Sequence, residues 1–139
     1  MRTYWNINEK LSPIKEWQPN CWIQVTCPPD EDQQLLEDQF HIPDYFLSDI
    51  SDADERARYE YDDGWMLIIL RIPYVKEIRS RTPYTTVPLG IIHKRDITIT
   101  VCFYETNMIY NDCMGTNKKA RRLGNYWFYP VFTYLLALA

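Results

Sequence analysis

Glycine is scarce in this chain, at four residues in 139. That leaves little material for a phosphate-cradling loop, and no G-x-G-x-x-G run or Walker-type lysine loop is present. H-E-x-x-H and G-x-S-x-G are missing as well. The two histidines, His41 and His93, stand alone. The four cysteines, Cys21, Cys27, Cys102 and Cys113, have no C-x-x-C spacing, so no zinc cluster is encoded. Reduced, mostly buried thiols are expected. No apolar run approaches the roughly 20 residues that cross a bilayer. The longest, Tyr126 to Ala139, is short and broken by Pro130. Met1-Arg2-Thr3-Tyr4-Trp5 leads into polar residues, not into the apolar core of a signal peptide. These absences predict a soluble, intracellular chain without an enzyme signature.

What is present is an uneven distribution of charge. Between Asp30 and Asp63 there are 13 acids against two bases, Arg56 and Arg58, a balance of −11; the remainder carries +7. Such an asymmetry can steer cations or order subunits, and it can equally be a solvated acidic face. The basic cluster Lys118 to Arg122 lacks aromatic interleaving and sits in a chain of net charge −4, so no nucleic-acid partner is expected. The aromatic run Tyr126 to Leu136 has no basic polar face and is expected to pack as core.

The chain reads as one domain, 1–139. Met1 to Ile7 and Leu11 to Trp17 are two short strands around Asn8-Glu9-Lys10, and Cys21 to Thr26 is a third. Acidic residues Asp30, Glu31 and Asp32 open a surface helix running to Phe40, with Leu35, Leu36 and Phe40 inward. Pro43 stands in the first turn of a short second helix whose apolar face is Phe46, Leu47 and Ile50. Asp49 falls at that helix's unfavourable, C-terminal end and needs a positive partner or full solvation. Asp62-Asp63-Gly64 is a hairpin turn. Trp65 to Leu70 is continuously apolar, as in a central strand. Thr85 to His93 is a strand weakened by Pro88 and Gly90, so a bulge or partial edge is expected there. Ile97 to Phe103 alternates cleanly. Glu105 to Met114 is a helix ended by Gly115, and a last helix follows Lys118. This pattern predicts an α/β (α+β) fold, a mixed sheet of about seven strands with helices on both faces. The uncapped, uncharged ending Leu135 to Ala139 reads as a cut through a longer protein.

Two readings of the acidic window compete. Asp49 to Glu60 has the length of a calcium loop, but Ala53 and Asp54 stand where a ligand and a glycine are required. A looser Mg2+ site using one or two of Asp49, Asp52 and Asp54 survives that failure, because Mg2+ keeps several of its waters. The alternative pairs these aspartates with Arg56 or Arg58.

Several segments together resemble the N-terminal cytoplasmic domain of the CorA-type magnesium and cobalt transporters. They are Trp22 to Thr26, Phe40 to Pro43, Phe46 to Ile50, Ala57 to Glu60, Trp65 to Ile72, Val87 to Ile92 and Ile97 to Phe103. Their order and spacing carry the resemblance. It implies an α/β/α cytoplasmic domain of a homopentameric divalent-cation (Mg2+/Co2+) transporter on the cytoplasmic side of the cell membrane. Its pore would lie outside this chain. It further implies that Asp49 holds a regulatory Mg2+ shared with a neighbouring subunit, and that a stalk-helix carboxylate beyond Ala139 completes the site. The glutamate beside that aspartate in the family pattern is Ser48 here, which removes one oxygen anion. The alternative is a stand-alone soluble α/β binding or scaffold module with an acidic face.

Overall fold

The computed structural model describes residues 1–6, 12–75, 81 and 84–105. Among them lie seven strands and two helices in the order β1 (Arg2–Asn6), β2 (Ser12–Ile14), β3 (Trp22–Thr26), α1 (Asp30–Phe40), α2 (Asp44–Ser51), β4 (Arg58–Asp62), β5 (Trp65–Val75), β6 (Tyr84–Lys94) and β7 (Ile97–Cys102). The strands form one mixed sheet in the order β2-β1-β3-β7-β6-β5-β4. Its single parallel junction joins β3 to β7, with Ile23 opposite Ile99 and Val25 opposite Val101. All other neighbours run antiparallel.

Alternation along the strands gives the sheet two apolar faces. On the first, Ile23, Val25, Leu67, Ile69, Ile92, Ile99 and Val101 form a core with Leu36 and Phe40 of α1 and Phe46, Leu47 and Ile50 of α2. Each such side chain removed from water contributes about 1.5–3 kcal/mol, so this contact holds both helices down. On the second face, Trp22, Ile72, Val87, Leu89 and Cys102 cluster with Trp5, Leu70, Tyr74 and Tyr104 packed against them. Its two buried threonines are satisfied: Trp22 Nε1 donates to Thr100 Oγ1 at 2.9 Å, and His93 Nδ1 lies 2.9 Å from Thr98 Oγ1. Trp22 and Ile23 are thus both buried, on opposite faces.

Helix boundaries follow local chemistry. The three acids of the first turn complement the N-terminal end of α1, and Arg2 Nε ties Asp32 Oδ1 at 2.8 Å to β1. His41 ends α1 in the left-handed conformation (φ 55°), its N–H bonding Glu37 O at 2.9 Å. Pro43 stands just outside α2 as its N-cap, not within the first turn, and its carbonyl accepts from the Phe46 N–H at 3.0 Å. The β4–β5 turn puts Asp63 and Gly64 at φ 50° and 80°. This is the left-handed pair that a tight hairpin requires.

Strand pairing decides two expectations. No bulge interrupts β6, which pairs residue for residue with β5 from Tyr84 to His93. Its first half is nevertheless a partial edge, because β7 reaches only Gly90 to Lys94. Pro88, which has no N–H to offer, lies in the half with one neighbour. Strand β5 is interior but stands one place from the edge, which is β4. The expected helices after Glu105, the basic cluster at 118–122 and the aromatic tail lie outside the described residues.

Candidate functional site

Both helices lie on the first face, and the chain leaving α2 turns back toward the edge strand β4. The turn is built from its own backbone and short side chains. Ser51 Oγ donates to Ser48 O at 2.6 Å, the Asp52 N–H to Asp49 O at 3.2 Å and the Glu55 N–H to Asp52 O at 3.0 Å. Arg71, projecting from β5, clamps this turn. Its Nη1 donates to Ala53 O at 2.6 Å and Glu55 O at 2.9 Å, while Nη2 and Nε donate to Thr86 O and Oγ1 at 2.6 and 3.2 Å.

The end of α2, the clamped turn and β4 bring four carboxylates to one corner. Arg58 sits among three of them: Nη2 pairs with Asp49, Nη1 with Glu60, and Nε with Glu55 at 2.8 Å. The charged hydrogen bond to Glu55, then that to Glu60, hold the guanidinium's pKa above its ordinary value. Next to it, the Tyr45 hydroxyl donates to Asp62 Oδ2 at 2.6 Å and lies 3.1 Å from Glu60 Oε1. The bond to Asp62 leads in pushing the phenol's pKa well above its usual range. One guanidinium therefore faces Asp49, Glu55 and Glu60, and the corner stays net negative.

Of the aspartates marked in the sequence, only Asp49 enters this network. It has the positive partner that its place at the C-terminal end of α2 demands, and that partner is Arg58, not the exposed Arg56. Asp52 Oδ1 accepts the Asp54 N–H at 3.0 Å, and both residues are exposed at the tip of the turn. Among the described residues no group of three or more His, Cys, Asp or Glu converges closely enough to hold a metal ion. The carboxylates at the corner are hard oxygen donors of the kind Mg2+ uses, but within one copy Arg58 already supplies the positive charge they surround. Tyr45 and Arg71 carry no site signature in sequence, because their partners come from β4 and from backbone carbonyls of the turn.

This fold is shared with the soluble parts of known transporters. The soluble domain of CorA from Methanocaldococcus jannaschii superposes with a TM-score of 0.64 at 24% identity, covering 90% of this chain and 47% of that one. The complete CorA magnesium transporter from the same organism gives 0.67 at 23% identity over 86% of this chain and 38% of that one. The ZntB cytoplasmic domain from Vibrio parahaemolyticus gives 0.62 at 19% identity over 78% and 46%. At these identities the likeness is one of fold, and the chain spans less than half of each of these proteins. No curated protein matches the sequence. Residues 17–131 match the model of the CorA-like Mg2+ transporter protein family, and the chain belongs to that family. Membership in a transporter family removes the enzyme reading that so many carboxylates invite.

Proposed function

We propose that this chain is the cytoplasmic, Mg2+-sensing domain of a divalent-cation transporter, held at the cytoplasmic side of the cell membrane by segments outside it. No described helix is long and apolar enough to cross a membrane. The observation that carries the proposal is the family match over residues 17–131, which includes the whole acidic corner. In a homopentamer, acidic corners of neighbouring copies repel, and a hydrated Mg2+ between them offsets that repulsion. Asp49 is the residue assigned to the ion, with Asp52 and Asp54 as further oxygen donors and a carboxylate from outside this chain completing the set. Loss of Mg2+ then favours separated subunits and an open pore, a population shift driven by differential binding. Co2+ is the second ion proposed for the same regulatory oxygen donors.

Arg58 favours a second reading, in which Asp49 is a structural tie within a binding module and no ion is sensed. One experiment separates the two. In the complete reading frame, protection from proteolysis is titrated with Mg2+ for the unaltered protein and for Asp49→Ala. Sensing predicts that the variant needs several-fold more Mg2+ for the same protection. Identical titrations, or a reading frame without membrane spans, leave only the structural tie.

A further inference from the structure

Away from the acidic corner, the far ends of β3 and β7 carry a pair of thiols. Cys27 follows Thr26, the last residue of β3, which lies opposite Cys102 across the parallel junction. The Cys27 N–H donates to Cys102 O at 2.8 Å, so the two residues are backbone neighbours. Cys27 takes a left-handed conformation (φ 45°), and its Sγ donates to Phe103 O at 3.6 Å. Burial, first of all, raises the Cys102 thiol's pKa, and the neighbouring Cys27 sulfur adds to this. The Tyr104 backbone favours the Cys102 thiolate, an effect smaller than that of burial. Cys27 is exposed and Cys102 is buried, and neither is bonded to another cysteine.

We infer that Cys27 and Cys102 form a modification site that closes to a disulfide on meeting a small disulfide oxidant. This inference is independent of the Mg2+ reading, since neither sulfur lies in the acidic corner. The accessible Cys27 reacts first, as a thiolate. It attacks one sulfur of the oxidant, a bond forms between them, and the other half of the oxidant leaves as a thiolate. Cys102 then loses its proton to solvent, and its sulfur attacks Cys27 Sγ and expels the second half. Two protein thiols are oxidised to one disulfide, and one oxidant disulfide is reduced to two thiols. The buried partner makes the second step the slower one, because a thiol in apolar surroundings is seldom ionised. The product ties the end of β3, and with it the entry to α1 at Asp30, to the end of β7.

The test uses the full chain carrying Cys113→Ser, treated under native conditions with the aromatic disulfide DTNB. Closure predicts two thionitrobenzoate ions released per chain, none retained, and a mass lower by two hydrogen atoms. Adding Cys102→Ser should leave one ion released and a mixed disulfide stable on Cys27, and adding Cys27→Ser should abolish the fast release. Peptide mapping of the unaltered chain after the same treatment gives a second measurement, independent of how Cys113→Ser folds. A Cys27–Cys102 linked peptide supports the inference. A persistent mixed disulfide on Cys27 beside an unmodified Cys102, or a link from Cys27 to Cys21 or Cys113 instead, overturns it.

Discussion

The side chain of Ile50 rests directly on the backbone of Gly90: a Cβ placed there would come within 2.2 Å of Ile50 Cδ1. Ile50 directly follows Asp49, so this seat for α2 also sets where the Asp49 carboxylate meets Arg58. In a strand interior, exchanging glycine for alanine ordinarily gains about 0.5–1 kcal/mol. Here the methyl group strikes a fully buried side chain, and Gly90→Ala should instead cost about 1–3 kcal/mol. Ile50→Ala alone should cost about 2–5 kcal/mol through the space it leaves. The double variant should cost less than the sum of the two, because the alanine methyl enters the space Ile50 vacates. Urea unfolding of the three variants measures this, and a neutral Gly90→Ala would show that α2 does not sit on that strand.

Arg58 and Arg71 should fail in different ways. Arg58 neutralises carboxylates at a corner with side chains about 30% exposed (29% for Arg58, 31% for Asp49). Arg58→Gln should cost about 1 kcal/mol in dilute buffer and less in about 0.5 M salt, where exposed charges are screened. Arg71 bonds three backbone carbonyls and a hydroxyl. Arg71→Met should cost about 1–2 kcal/mol at either salt concentration and speed hydrogen exchange across 52–57. Equal salt dependence of the two variants would contradict this division.

His93 supplies a pH term of known sign. Burial lowers its pKa in the folded chain. Above the unfolded value of about 6.5 the ring is neutral in both states and contributes no pH dependence. As pH falls below about 6.5 the unfolded chain takes up the proton first, so folding stability declines. His93→Asn should therefore flatten the stability profile between about pH 6.5 and 5.5 while leaving the slope above pH 7 unchanged. Parallel profiles for the two proteins would mean the ring titrates alike folded and unfolded.

Features decided by neighbours in sequence were legible in the chain. Asp63-Gly64 announces its turn because few residues accept two consecutive positive φ values. The acids at 30–32 mark the start of α1, and the alternation of Ile97 to Val101 marks β7. The need of Asp49 for a cation also follows from its place on α2. Features decided by distant neighbours were not legible. Gly90 reads locally as a weak point in a strand, yet its missing side chain is what lets Ile50 approach. Arg71, set in an apolar strand, gives no hint that its acceptors are the carbonyls of Ala53 and Glu55. That three carboxylates share Arg58 depends on the hairpin returning alongside α2, which no local pattern encodes.

The parallel junction of β3 with β7 also governs the order in which the molecule can assemble. β1, β2 and β3 leave the ribosome before the other strands of the sheet, but they join those strands only through β7, the last strand described. Contacts that must wait for so distant a stretch of chain form late and slowly. The three early strands therefore wait for their largest partner until β7 has been made, and defects that delay β7 should appear as aggregation of newborn chains before they appear as instability of the finished one.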